Sequence, residues 1–260
     1  MNRPPIIVTR AGDTGRSLAS ALVDAGEECL WLPAFELGLP PDEPRVTEML
    51  AQLDRYNLAV FVSPAAVKAT ASRLVRPWPR ETAIAVVGAG TRRAIRSNIP
   101  SAGDATLYAP ESSDAESEQS GSEALWLALQ PAIDRMRRVL ILRAEQGREW
   151  LGEQMAAAGA KVDALAVYTR RRAVASAAAR ADILRWKAAQ RTAVVVVASS
   201  EAVDAVTGQL DPLAGAAWTR SALALASHER IAQRLRAAGF THVKLVAPEV
   251  EAIRKAIVAQ

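Results

Sequence analysis

Small polar residues and arginine recur at one kind of place in this sequence, the turn that follows a short β-branched run. In an α/β protein such a turn opens a helix, and its free backbone amides and the positive end of the helix dipole form a weak anion site. The candidates are Thr9, Arg10, Ser63, Gly88, Thr91, Arg143, Ser199, Ser200 and Ser227. We expect them to bind an anionic ligand at the carboxyl edge of a sheet. The alternative for each serine and threonine is helix capping alone.

The charge balance also favours an anionic ligand. The 260 residues include 32 Lys and Arg against 28 Asp and Glu, a net charge of +4, and most of the basic residues are arginine. A guanidinium suits two-point recognition of carboxylate or phosphate; the alternative is a compositional bias, since the chain is also rich in alanine. The arginines are scattered and only 5% of residues are aromatic, so we expect no nucleic-acid binding.

Several function classes are not expected from the composition. Cys29 is a lone cysteine, which excludes an internal disulfide, and with His228 and His242 it gives no metal-ligand spacing. No apolar run approaches the ~18 residues of a membrane span, and the amino terminus lacks the apolar stretch of a signal peptide. We expect a soluble, cytoplasmic, metal-free protein.

Strand-like runs alternate with alanine-rich helical stretches, which predicts an α/β fold with parallel sheets. The polar segment 111–121 is expected to be a loop before a helix that begins at Ser122. The predicted strands are 6–10, 28–33, 58–63, 83–88, 106–110, 139–143, 161–168, 193–199, 222–227 and 242–247.

An internal repeat indicates that the fold is duplicated. At an offset of 133 residues, Arg10 matches Arg143 and Phe35 matches Tyr168. The run LAVFVSPAAV at 58–67 then matches VVVVASSEAV at 194–203. We therefore predict two similar α/β domains, each with a parallel sheet.

The GAG at 88–90 is the one motif that suggests a nucleotide. A dinucleotide fingerprint needs a third glycine where this chain has Arg93. We interpret the segment as a close-packed turn without a nucleotide. The sequence also lacks the order of a serine–histidine–aspartate triad, a pair of carboxylates in the turns and a phosphate-binding loop.

Over nearly its whole length the chain resembles the uroporphyrinogen-III synthase family. The resemblance rests on the order and spacing of VTR (8–10), LPAFE (32–36), FVSPAAV (61–67), VVGAGTRRAI (86–95), the segment 141–170, VVASSEAV (196–203) and ASHERIAQRLRAAGF (226–240). At 226–230, where many relatives have Thr-His-Pro or Gly-Pro-Thr, only Ser227 offers a hydroxyl.

The resemblance implies that hydroxymethylbilane loses its hydroxyl, ring D is inverted and the macrocycle closes to uroporphyrinogen III. It implies no cofactor, a linear tetrapyrrole polycarboxylate as the bound molecule, a monomer, and transient contact with the upstream bilane-forming enzyme. A flexible substrate with eight carboxylates suits turns rich in arginine and helix amino termini. Holding one folded conformer can control the outcome with few proton-transfer groups.

The domains are not expected to be the two halves of the sequence. The proline-rich segment 33–44 and its repeat partner 166–175 both read as crossovers. We predict one domain from 1–35 with 173–260 and another from 40–168, with linkers 36–39 and 169–172 forming a hinge beside a cleft. In this arrangement 6–10 neighbours 193–199 and not 139–143, and the resemblance implies the same division.

Tyr168 is the predicted catalytic residue. Its repeat partner Phe35 has no hydroxyl, so the duplicated fold does not itself require one. A phenol at this position can donate a hydrogen bond to the departing hydroxyl or orient a water that does, and the resemblance points to the same tyrosine. The alternative is a packing residue at a domain junction.

Two other functions remain open from the sequence: a non-enzymatic two-domain module that binds an anionic metabolite, and a nucleotide-dependent oxidoreductase that uses the GAG turn. The isomer formed from hydroxymethylbilane discriminates the synthase from both.

Overall fold

Short parallel strands and their connecting helices build the protein. A computed structural model describes residues 3–110 and 118–258. The strands are β1 (Ile6–Val8), β2 (Cys29–Trp31), β3 (Phe35–Gly38), β4 (Leu58–Phe61), β5 (Ala83–Val86), β6 (Leu107–Tyr108), β7 (Arg138–Ala144), β8 (Lys161–Arg172), β9 (Val194–Val197), β10 (Leu223–Ala226) and β11 (His242–Leu245).

The helices follow the strands in the alternation that the sequence predicts. Short 3₁₀ turns cover Leu53–Arg55, Pro100–Ala102 and Gln130–Arg135. The α-helices are α1 (Gly12–Asp24), α2 (Glu43–Ala51), α3 (Pro64–Ala71), α4 (Ala89–Asn98), α5 (Glu118–Leu129), α6 (Trp150–Ala157), α7 (Ala177–Ala188), α8 (Ser200–Ala214), α9 (Ala216–Ser221), α10 (Glu229–Ala237) and α11 (Val250–Val258).

Two sheets share one strand order. The first runs β11-β10-β9-β1-β2 and the second β3-β8-β7-β4-β5-β6. Read from β6 to β8, the second sheet is parallel and repeats the first strand for strand, with β4 in the place of β9 and β7 in the place of β1. This common order confirms the predicted α/β fold with a duplicated unit.

The chain divides into two compact units, between Leu37 and Gly38 and again between Arg170 and Arg171. The unit made of the two outer stretches is called the split unit below, and 38–170 the inserted unit. In the split unit β1 pairs with β9, Ile7 opposite Val195, so the predicted neighbourhood of 6–10 and 193–199 is confirmed.

Burial on both faces explains the continuous apolar strands. Ile7 and Val195 pack into one core layer, whereas Ile6 and Val194 pack into another. Successive side chains of a strand point to opposite faces. A parallel sheet covered by helices on both sides therefore needs apolar residues at every position.

Two local expectations were wrong or incomplete. Strand β3 was not predicted, because its proline-rich surroundings indicated only a crossover. The expected loop at 111–121 falls partly outside the described residues, and α5 begins at Glu118 instead of Ser122.

Candidate active site

Ser63 and Tyr168 form the most direct pair of hydroxyl groups in the inserted unit. Ser63 follows β4, and its Oγ accepts a hydrogen bond from the Ala66 amide at 3.1 Å, which caps α3. The same Oγ lies 3.2 Å from the Tyr168 phenol oxygen. Both residues are buried, with 7% and 8% of their surface exposed. A hydroxyl has two lone pairs and one hydrogen, so Ser63 can cap the helix and pair with the phenol simultaneously.

A bulge in β8 sets the position of Tyr168. Arg143 of β7 lies opposite Ala166, but the next residue, Ala144, lies opposite Tyr168, so Val167 is an extra residue. Regular alternation would send Val167 and Tyr168 to opposite faces. With the bulge, both side chains pack in the same core layer. The phenol therefore reaches the Ser63 turn across β7.

Arg143 is held by its own loop. Its Nη2 donates to the Gly147 carbonyl at 2.7 Å, with longer bonds from Nε to Ala144 and from Nη1 to Arg148. No carboxylate in the described part of the chain pairs with it, so the alternative ion pair with Glu145 does not form. A guanidinium has five N–H groups, and two of those on Arg143 remain available to an anion.

The GAG turn was expected to be closely packed, and the contacts of Gly90 test one position of it. Gly88 caps α4 in an extended conformation. A Cβ added at Gly90 would lie 3.7 Å from the Pro64 ring, an ordinary contact, so crowding does not explain this glycine. Thr91, in the first turn of α4, is only 3% exposed, and contact between its side chain and a ligand stays a prediction.

In the split unit, Thr9 and Ser199 lie just after the adjacent strands β1 and β9. The Thr9 hydroxyl donates to the Val196 carbonyl at 2.7 Å and ties the two strand ends together. Ser199 caps α8 by accepting from the Ala202 amide at 3.2 Å. Ser200 differs, because its buried Oγ has no hydrogen-bond partner among the described residues. The Ser200 hydroxyl is therefore buried without a partner within the described residues, and its contact with a ligand stays a prediction.

Helix capping, the alternative role considered for Ser227, is not found in the structure. The residue before α10 is His228, so Ser227 lies one position too early, and His228 makes no side-chain cap. Ser227 is half-buried directly after β10. It therefore shares the strand edge of Ser199 without the capping contact.

Arg10 leaves the sheet edge with an exposed side chain. Its backbone carbonyl accepts from the Trp31 indole at 2.8 Å. No carboxylate of the described residues pairs with its guanidinium, so the alternative ion pair with Asp13 does not form. Sequence reasoning missed Trp31, which carried no signal beyond its position in a strand.

Replacing Ser63 with alanine is expected to destabilise the protein by about 1–2 kcal/mol, since one change removes a helix cap and the partner of a buried phenol. Ser199→Ala is the matched control, because it removes an equivalent cap without a phenol. Urea unfolding of both variants measures the difference. Equal losses of unfolding free energy in the two variants would contradict an energetic coupling of Ser63 to Tyr168. A Ser63→Ala loss that is unchanged in a Tyr168→Phe background would contradict it as well.

Other chemistries find little support in the part of the chain described. Residues 3–110 and 118–258 contain no group of three His, Cys, Asp or Glu side chains that could hold a metal ion. Burial raises the pKa of the Cys29 thiol to about 12, so it stays protonated at neutral pH. None of the described helices has the length and hydrophobicity that crossing a membrane requires.

Residues 16–253 match the model of the family described as uroporphyrinogen-III synthase HemD. The chain belongs to the uroporphyrinogen-III synthase family. Its relatives include the uroporphyrinogen-III synthases of Escherichia coli, 29% identical, and Salmonella typhimurium, 28% identical. Each alignment covers 92% of this chain and 94% of the relative.

Solved uroporphyrinogen-III synthases share the fold of this family member. The Helicobacter pylori enzyme is similar with a TM-score of 0.60 at 13% identity, covering 99% of this chain and all of the other. A mutant Thermus thermophilus enzyme gives 0.56 at 16% identity, over 98% and 100%. As a uroporphyrinogen-III synthase family member, the protein is a cyclising lyase of haem biosynthesis. This outcome favours the synthase over the two alternatives left open by the sequence.

Proposed function

We propose that the chain converts hydroxymethylbilane to uroporphyrinogen III, with Tyr168 assisting departure of the hydroxyl. In this step the carbon–oxygen bond breaks, a proton joins the leaving oxygen and water departs. Ring D is then inverted as the macrocycle closes. The observation that carries the role of Tyr168 is its contact with Ser63 at 3.2 Å. For the phenol to act as the donor, the Ser63 hydroxyl donates to the phenol oxygen, and the phenol O–H is directed at the departing hydroxyl.

The substrate-binding residues proposed are Thr9, Arg10, Ser63, Gly88, Thr91, Arg143, Ser199, Ser200 and Ser227. Their support is their placement, at or just after the carboxyl ends of β1, β4, β5, β7, β9 and β10. Helix amino termini and uncommitted guanidinium N–H groups there favour carboxylates. No cofactor takes part in the proposed reaction.

The proposed domains are 1–35 with 173–260, and 40–168. Linkers 36–39 and 169–172 act as a hinge, and the carboxyl edges of both sheets contact the bilane. The division of the chain after Leu37 and after Arg170 supports this proposal, since both divisions fall within the linkers. We also propose a cytoplasmic monomer that contacts the upstream bilane-forming enzyme transiently.

Freshly prepared hydroxymethylbilane provides the direct test of the activity. Incubation with the protein should give the type III isomer, resolved from type I by chromatography. Spontaneous closure without inversion gives type I, so a reaction without protein sets the background. Type I product alone at saturating protein would overturn the proposed function.

Arg10→Ala is expected to raise KM about tenfold with kcat changed less than twofold, because a guanidinium–carboxylate contact made equally in the ground and transition states affects binding alone. Arg236→Ala is the control, since Arg236 lies in the last turn of α10 and pairs with Glu229 at 2.8 Å. Steady-state kinetics at low salt measures both. An unchanged KM for Arg10→Ala would remove Arg10 from the binding residues.

A further inference from the structure

Arg16 and Trp31 form a stacked pair beside Arg10. The Arg16 guanidinium carbon lies 4.5 Å from the centre of the Trp31 ring, over its face. The same indole donates to the Arg10 carbonyl at 2.8 Å. Trp31 is partly buried and packs against the core layer under α1. One fixed aromatic ring therefore contacts both arginines.

Gly15 permits this close arrangement. A Cβ on Gly15 would lie 1.8 Å from the Arg10 carbonyl oxygen and 2.9 Å from the Trp31 indole nitrogen. Only glycine lets α1 approach the turn so closely. Side chains of a helix lean toward its amino terminus, so Arg16, one position later, extends toward the carboxyl edge of the sheet.

The pair carries two positive charges. Several other arginines of the split unit are paired with carboxylates, for example Arg191 with Glu28 at 2.6 Å and Arg220 with Asp211 at 2.6 Å. Within the described residues neither Arg10 nor Arg16 has a carboxylate partner. Asp13 lies in the first turn of α1, but two guanidinium groups near a helix amino terminus still favour a further anion.

We infer that Arg16 is a further substrate-binding residue that pairs with a carboxylate of the bilane, and that Trp31 is the positioning residue that holds it beside Arg10. This inference rests on the proposed function. Stacking on an indole fixes the guanidinium plane while leaving its edge N–H groups free to donate. Fixing a long side chain in advance lowers the entropy lost on binding.

Four variants separate the binding role of Arg16 from the positioning role of Trp31: Arg16→Gln, Arg16→Lys, Trp31→Leu and Trp31→Phe. Arg16→Gln should raise KM for hydroxymethylbilane about tenfold with kcat changed less than twofold. Arg16→Lys keeps the charge but loses the planar fork, so an intermediate KM is expected. Trp31→Leu removes the stack and should match Arg16→Gln, whereas Trp31→Phe keeps an aromatic face and should raise KM less than threefold.

The double variant tests whether Trp31 acts through Arg16. If it does, Arg16→Gln adds little to the KM of Trp31→Leu, because the two changes are coupled. If Trp31→Leu does not fold, the KM of Arg16→Gln still tests the role of Arg16. A comparison of the KM of Trp31→Phe with that of wild type still tests the role of the Trp31 ring. Arg236→Gln, which removes one positive charge that is already paired with Glu229, should leave KM unchanged.

The outcomes distinguish this inference from the proposed function. If wild type makes type III product and Arg16→Gln has wild-type KM, the inference is wrong and the synthase activity stands. Additive effects of Trp31→Leu and Arg16→Gln would remove the positioning role of Trp31. Type I product from the wild type would instead overturn the proposed function itself.

Discussion

Tyr168→Phe is expected to lower kcat for type III formation by about ten- to a hundredfold. A positioned proton donor is typically worth about 10²–10⁴ in rate, and the smaller effect follows if conformational control supplies part of the acceleration. KM should change little, because the ring remains in place. The free energy of unfolding should fall by no more than about 1 kcal/mol, the value of one buried hydrogen bond.

Tyr108→Phe provides the matched control. Tyr108 lies on β6, one of the two edge strands of the same sheet, and is only partly buried, so its hydroxyl should be dispensable for turnover. Single-turnover measurements with isomer analysis separate chemistry from product release. A folded Tyr168→Phe variant that makes type III product at the wild-type rate would reduce Tyr168 to a packing residue.

Gly15→Ala is expected to destabilise the split unit by about 3 kcal/mol or more. In a helix interior alanine is favoured over glycine by about 1 kcal/mol, so propensity alone predicts the opposite sign. The steric term is larger, because the new methyl group would lie 1.8 Å from the Arg10 carbonyl oxygen. This clash with the backbone at the sheet edge is relieved only if α1 moves away from the sheet. That movement loses part of the packing of α1 against β1 and β2.

Gly208→Ala isolates the propensity effect. Gly208 lies within α8, and nothing approaches its added Cβ within 4 Å, so we expect a gain of about 0.5–1 kcal/mol. Urea unfolding of both variants, followed by circular dichroism, measures the difference. A Gly15→Ala protein as stable as wild type would show that α1 can shift at little cost.

Local patterning accounts for what the sequence predicted well. Each predicted strand is present because β-branched runs such as Val194–Val197 suit a sheet that is buried on both faces. The helix caps at Ser63 and Ser199 were also predictable, since each serine follows a strand and precedes a helix. The repeat added long-range information, because equivalent strands of a duplicated unit occupy equivalent places in their sheets.

Some local sequence signals had two meanings that only the structure separates. A serine near a helix start indicates a cap, yet Ser227 precedes the cap position by one residue. A glycine between small residues indicates crowding, yet Gly90 has room for a methyl group. In both cases the position that the residue takes in the packed structure decides the outcome. The boundaries of elements depend on packing against neighbours and not on the residue type alone.

The sequence by itself determined the α/β alternation, the duplicated unit and the candidate residues at the strand ends, because these depend on periodicity and on the chemistry of single residues. Only the tertiary structure brought Ser63 to Tyr168, 105 positions away, and stacked Arg16 on Trp31. The first contact depends on a bulge that shifts the register of β8 by one residue. The second depends on how closely α1 approaches β2. Register and approach distance are set by many packing contacts acting together, and no short segment of sequence contains them.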